Sequence, residues 1–155
     1  MKCRNLECWK KAKSLAVDIY GLSKESGARP DYGFLDQIRR SSVSIASNLA
    51  EGAERGTPKD SVHFFVMARA SAAELLTQIE IGLEAGLLPG SAQSITGRIE
   101  EIMQLINGLI RFRRSRRDSL SSPSNHQSPI TTNPSPRTNH QSPITNNPSP
   151  RTNHQ

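Results

Sequence analysis

Between Leu6 and Phe112, apolar residues return every three or four positions in four separate runs. That is the period of a helix with one face turned toward a core. The first run is Leu6, Trp9, Ala12, Leu15 or Ala16, Ile19 and Leu22, and predicts a helix from about Asn5 to Ser26. Gly27 suits the position after its end, and Pro30 forbids continuation. The second predicted helix spans Tyr32 to Arg55. Phe34, Ile38, Ser42, Ile45, Leu49 and Ala53 share one arc of it, and Gly56 ends it. Beside that arc runs a polar stripe of Gln37, Arg40, Ser44, Asn48, Glu51 and Arg55.

The third helix has the clearest start. Thr57 can cap it, Pro58 takes the first helical position and Asp60 follows three residues after the cap. Val62, Phe65, Ala68 or Arg69, Ala72, Leu76, Ile79 and Leu83 form its predicted stripe. Gly86 closes it, and Pro89-Gly90 turns the chain. The fourth helix runs from Ser91 to about Arg114, with Ile95, Ile99, Ile102, Ile106, Leu109 and Phe112 or Arg113 inward. Gly97 and Gly108 weaken it by about 1 kcal/mol each relative to Ala.

No segment alternates with period two, and the Gly and Pro punctuation falls between helices. Helices of about 20 residues are about 30 Å long, and short links make neighbours antiparallel. The expected fold is all-α, an antiparallel up-down-up-down four-helix bundle over residues 1–115. The run Gln37–Gly52, QIRRSSVSIASNLAEG, adds a constraint. Ser and Asn prefer caps and turns, so a helix built from them needs close neighbours to hold it.

Composition shifts near Ser115, which makes 116–155 a separate low-complexity tail. NHQSPITTNPSPRT at Asn125–Thr138 recurs as NHQSPITNNPSPRT at Asn139–Thr152, differing only at Thr132 and Asn146. Such a segment is too polar to bury a core and is expected to be disordered and partly polyproline-like. No function is assigned to it.

Net charge is +6, from 20 basic and 14 acidic residues. The tail contributes part of the excess, so the body is only mildly basic. That permits nucleic-acid binding without demanding it. Cys3 and Cys8 fit neither a C-x-x-C motif nor a zinc site, and read as free thiols in a reducing compartment. No run of 18 apolar residues exists, and MKCRNLECWKKAK lacks the apolar core of a signal peptide. A cytoplasmic protein is expected.

The sequence holds no catalytic constellation: no G-x-S-x-G elbow, phosphate loop or H-E-x-x-H. His63 is the one histidine of the body and reads as a surface or interface residue. Glu74, Gln78, Asn48 and Glu51 are candidates for buried polar groups. Glu-x-x-His pairs are absent, so a di-iron bundle is excluded and a hydrogen-bonded network or subunit contact is expected instead. No metal, cofactor or catalytic residue is predicted, and the chain reads as a non-enzyme.

Three basic clusters carry the candidate chemistry. Arg111, Arg113, Arg114, Arg116 and Arg117 crowd the end of the fourth helix. Lys10, Lys11 and Lys13 lie on the first helix, and Arg39 and Arg40 on the second. Cations suit a helix C-terminus, but five arginines in seven residues exceed what the helix dipole needs. Arg pairs bidentately with phosphate, so RNA or DNA is the fitting polyanion, held through its backbone. Few aromatics accompany these clusters, so base stacking is not indicated. Trp9, Phe64, Phe65 and Phe112 read as core or interface anchors. Because Phe64 and Phe65 are adjacent, one must point away from the core, which hints at a partner subunit.

LECWKKAKSLAVDIY at Leu6–Tyr20, YGFLDQIRRSSVSIASNLAEGAERG at Tyr32–Gly56, ARASAAELLTQIEIGLEAGLL at Ala68–Leu88 and IEEIMQLINGLIRF at Ile99–Phe112 carry a resemblance. Over residues 4–114 the chain resembles the 23S rRNA intervening sequence proteins, also labelled S23 ribosomal proteins. The resemblance implies a four-helix bundle assembling as a ring-shaped homopentamer. It also implies kinship with the accessory variability determinant of diversity-generating retroelements, a pentamer that binds nucleic acid and a reverse transcriptase. Arg39, Arg40, Ser44, Asn48, Glu51 and Gly52 stand at signature positions, and the tail lies outside the pattern. The reading is a homo-oligomeric bundle binding RNA or DNA through basic surfaces. The alternative is a protein adaptor that binds a partner such as a polymerase without touching nucleic acid.

Overall fold

The structure is a computed structural model and describes residues 2–25 and 31–121. A 3-10 turn at Lys2–Asn5 leads into α1 (Glu7–Glu25), followed by α2 (Tyr32–Glu54), α3 (Pro58–Glu84) and α4 (Gln93–Ser121). No strand occurs among the described residues. The expected stop at Gly27–Pro30 and residues 122–155 of the expected disordered tail lie outside them.

Local chemistry sets the helix boundaries. Asp31 caps α2 by accepting the Phe34 N–H at 2.9 Å. Thr57 caps α3 by accepting the Asp60 N–H at 3.1 Å, with Pro58 next in line as expected. At the far end of α3, Gly86 adopts φ +67°, a left-handed conformation that costs glycine nothing. The Leu87 N–H then reaches the Gly82 carbonyl at 2.8 Å, and the Gly86 N–H reaches Leu83 at 3.2 Å. This Schellman closure satisfies the carbonyls that a helix end leaves open.

Cross-helix contacts fix direction. Cys8 meets Ile102, Lys11 meets Glu101, and Asp18 meets Arg98, so α1 and α4 run antiparallel. Ser41 with Gln78 and Ser44 with Ser71 set α2 against α3 in the same sense. Arg69 with Asn107 does so for α3 and α4. Lys2 with Glu54 and Arg39 with Tyr20 complete the circuit between α1 and α2. The result is the expected up-down-up-down bundle, with each helix lying beside its chain neighbours and α4 returning to α1.

The core is an aliphatic column. Leu15, Ile19, Ile38, Ile45, Leu49, Phe65, Leu75, Ile79, Ile99, Ile102 and Ile106 are all buried in it. Three details differ from the expected stripes. In α3 the deeply buried position is Leu75, and Leu76 is only half-buried on the flank. In α1 the buried face includes Cys8, while Trp9 packs partly exposed beside it. In α4 Ile110 completes the stripe, and Phe112 is 55% exposed. A 100° advance per residue turns position 112 well away from the line of Ile99, Ile102 and Ile106.

α4 also continues to Ser121, past the expected end near Arg114. Arg and Leu are good helix formers, so the change in composition did not stop the helix.

Candidate nucleic-acid interface

Beyond Ile110 the inward stripe of α4 carries no apolar residue for two turns, until Leu120. The next positions on that line are Arg113 and Arg117, so arginine occupies the turn where a core residue would sit. Arg111, Arg114 and Arg116 fall on the other sides of the same turns. Arginine therefore surrounds the rod after the core has ended. Arg113 is half-buried, Arg111, Arg114 and Arg116 are exposed, and no described carboxylate pairs with any of the four. The Arg117 side chain lies outside the description. Arg116 stands 5.8 Å from the centre of the Phe112 ring. That exposed ring is the one aromatic among these arginines, so of the two roles expected for it, core or interface anchor, the core one is excluded.

The antiparallel course brings other parts of the chain to this end of the bundle: the 3-10 turn with Lys2 and Arg4, the α2–α3 link with Arg55, and the first turn of α3 with Lys59. Arg55 is already engaged, paired with Glu51 and lying 4.5 Å over the Phe64 ring. Phe64 points outward while Phe65 is buried, as their adjacency requires.

The other two basic clusters are dispersed by the fold. Lys10 pairs with Glu7 at 3.2 Å on its own helix, and Lys11 turns toward α4 to meet Glu101 at 2.9 Å. Lys13 turns the other way, 5.7 Å over Trp9, and lines a groove between α1 and α2. Arg39 stacks 5.5 Å over Tyr20 and so ties α2 to α1, while Arg40 pairs with Asp36 at 3.0 Å. These two arginines sit on the N-terminal half of α2, toward the opposite end of the bundle from the α4 cluster. The sequence-predicted residues do not make one continuous surface.

Three of the signature residues of α2, Ser44, Asn48 and Gly52, do share a place, the seam with α3. Ser44 bonds Ser71 across it at 2.9 Å, and the Asn48 amide donates to the Ser44 carbonyl at 2.9 Å and hydroxyl at 3.1 Å. Ser41, which the sequence pattern does not single out, donates to Gln78 at 2.7 Å, and Gln78 donates to Glu74 at 3.0 Å. Glu74 and Glu51 are exposed rather than buried carboxylates. A hydrogen-bonded network was expected, but Ser41 and Ser71 are visible only once the two helices are in register. Gly52 acts sterically, since a Cβ there would lie 2.6 Å from the Phe65 ring. Gly82 on α3 mirrors it, with a Cβ 2.7 Å from Phe34. Each helix thus offers a bare backbone to the other's phenylalanine.

Buried groups add no second site. Cys3 and Cys8 are buried free thiols, and burial pushes the Cys8 thiol from 9.0 up to about 12, so it stays protonated at neutral pH. His63 is exposed and meets Phe64 edge-on. Among the described residues no three His, Cys, Asp or Glu side chains gather to hold a metal, and no helix is long and apolar enough to cross a membrane.

No curated protein matches the chain. Among solved structures it is similar to a protein of unknown function from the S23 ribosomal protein family of Bacteroides thetaiotaomicron VPI-5482. The TM-score is 0.58 and the identity 23%, over 66% of this chain and 97% of the other. That likeness speaks for the fold. The family model for the 23S rRNA-intervening sequence proteins matches residues 4–108, most of the helical body. A bundle with this helix order and this α2 signature, matched over that span, belongs to the 23S rRNA-intervening sequence protein family.

Proposed function

We propose that the chain is a non-enzymatic, homo-oligomeric cytoplasmic bundle that binds RNA or DNA through the arginine-ringed end of α4. One observation carries the reading: the inward stripe of α4 passes from isoleucine to arginine while the helix continues, leaving four cations without a described carboxylate partner. Guanidinium groups pointing to several sides of a rod suit the phosphates of a polyanion, which require neither a pocket nor a base-specific geometry. The family description names 23S rRNA, so structured RNA is the first polyanion to test. Arg39 and Arg40 are engaged with Tyr20 and Asp36, and Lys10 and Lys11 with Glu7 and Glu101, so they have less to offer a phosphate.

Fluorescence anisotropy with a structured RNA and a duplex DNA of equal charge, each at two salt concentrations, tests this. The expected result is binding near micromolar at low salt, weakening steeply as salt rises. Replacing Arg111, Arg113, Arg114 and Arg116 together by Gln is expected to weaken binding at least tenfold and flatten the salt slope. Lys10→Gln with Lys11→Gln is expected to leave both close to wild type. No binding by the wild-type chain at low salt overturns the reading. It would favour the adaptor alternative, which predicts a protein partner retained after nuclease treatment.

A further inference from the structure

Two hollows open side by side along α1. The first, about 320 Å³, is lined by Trp9, Lys10, Lys13, Ser14 and Val17. The second, about 330 Å³, lies between α1 and α2 and takes in Tyr20, Val43 and Ala46. Lys13 and Val17 line both, so the two make one groove. Trp9, Lys13, Val17 and Tyr20 follow one another at spacings of four, four and three residues, which keeps them on a single face of the helix. Val17 is 62% and Tyr20 47% exposed, and neither belongs to the core. Each ring carries a cation: Lys13 lies 5.7 Å over Trp9 and Arg39 5.5 Å over Tyr20. A cation over a ring keeps its full charge, whereas one matched to a carboxylate is neutralised. Among the described residues no carboxylate lines either hollow, and the neighbouring acids Glu7, Asp18 and Asp36 are paired with Lys10, Arg98 and Arg40.

We infer that this groove binds a single strand of nucleic acid, with bases stacked on Trp9 and Tyr20 and phosphates met by Lys13 and Arg39. The site is separate from the arginine-ringed end of α4 and stands whether or not that end binds a duplex. The groove presents rings and cations in alternation, so its ligand must present flat apolar faces and anions in alternation. A duplex shows its phosphates but hides its base faces in the stack, whereas a single strand shows both. A phosphate-only contact would also leave the aliphatic floor of Ala16, Val17, Val43 and Ala46 in water. An acidic protein helix would cover that floor, but its carboxylates gain nothing from the ring beneath each cation. Length agrees as well. Trp9 to Tyr20 spans about 17 Å of helix, room for about five nucleotides at a stacked spacing of about 3.4 Å, and for fewer in a stretched strand. These contacts read no base edge, so binding is expected to be indifferent to sequence. The sequence shows few aromatics beside its basic clusters; the fold supplies two, by packing Arg39 of α2 against Tyr20 and turning Lys13 back onto Trp9.

Trp9 is the only tryptophan of the chain, so its fluorescence reports on this groove alone. Titration with an oligo(dT) of about 12 nucleotides at low salt is expected to quench it saturably, and a DNA duplex of equal charge is expected to leave it nearly unchanged. Tyr20→Ala is expected to weaken the oligo(dT) quench by about tenfold. Lys13→Gln should weaken it severalfold and flatten its salt dependence. Tyr20 and Lys13 are exposed, so the fold should survive, and circular dichroism checks that it does. Should Tyr20→Ala not fold, Tyr20→Leu keeps apolar bulk without the ring and is expected to weaken the quench as much. Replacing Arg111, Arg113, Arg114 and Arg116 together by Gln is expected to keep the quench while duplex binding is lost. A wild type that is quenched by oligo(dT) but binds no duplex upholds the groove and removes the α4 reading, and the reverse result removes the groove alone. No quench by oligo(dT), an equal quench by the duplex, a quench untouched by Tyr20→Ala with Lys13→Gln, or a quench lost with the α4 arginines each overturns the inference. So does quenching by an acidic amphipathic peptide in place of oligo(dT), which would give the groove to a protein.

Discussion

The seam between α2 and α3 and the seam between α1 and α4 solve the same problem differently. Along α2–α3 the backbones approach so closely that Gly52 and Gly82 each admit the other helix's phenylalanine, and a short polar ladder runs beside the contact. Along α1–α4 the outer edge is held by exposed ion pairs, Lys11 with Glu101 and Asp18 with Arg98. Packing at a socket is unforgiving of volume, whereas an exposed ion pair is screened by water and loses side-chain entropy on forming. The first seam should therefore specify which helices pair and in what register. The second mainly covers a core that other residues define.

The largest effects are expected at the sockets. Phe65→Ala should destabilise the fold by about 3–5 kcal/mol, by lost burial and a cavity. Gly52→Ala should cost about 1–3 kcal/mol by overpacking. A double variant, Gly52→Ala with Phe65→Leu, should lose less than the sum of its parts, because a smaller side chain frees the space that the new methyl needs. Denaturant melts of wild type, Gly52→Ala, Phe65→Leu and the double variant measure this coupling, and strict additivity would remove the socket from the account.

Next comes the buried thiol on the α1–α4 side. Cys8 is held at about 12 against an ordinary 9.0, so above pH 9 the unfolded chain loses its proton while the folded chain keeps it. Stability should be unaffected by this group below pH 9 and fall by at most about 1.4 kcal/mol per pH unit between 9 and 12. Comparing melts of wild type and Cys8→Ala across that window isolates the effect. Equal slopes would mean that the thiol is reached by water.

Asn48→Leu probes the polar ladder. Both bonds of the Asn48 amide go to Ser44 on its own helix, and the side chain is half-buried, so the expected loss is about 1 kcal/mol. An unchanged melting temperature would reduce the ladder to surface decoration. The smallest effect belongs to Lys11→Ala, expected at no more than about 0.5 kcal/mol and shrinking further in salt. A loss as large as that of Gly52→Ala would abolish the contrast between the two seams.

The helices were legible because their signals are local. Thr57-Pro58, Gly86 and the three-and-four spacing act within a turn or two of the chain. The α3 stripe expected from spacing falls one residue off, at Leu76 instead of Leu75, because α3 is apolar on its outward side as well and spacing alone does not say which flank faces in. The sockets were not legible in the same way. Gly52 stood out in its run, but nothing local in the sequence links it to Phe65, or Gly82 to Phe34. The basic clusters show the opposite failure. Lys10, Lys11 and Lys13 look like one patch in sequence, yet the helix sends Lys11 toward α4 and Lys13 toward α2.

Periodicity and punctuation determined four rods, their approximate ends and the face each buries, since burying apolar area and capping helix ends depend on residues a few positions apart. Register between rods, the partners of Gly52 and Ser44, and which cations stay unpaired were decided only by the tertiary structure. Those depend on distances between residues far apart in the chain, which exist only after the helices have met.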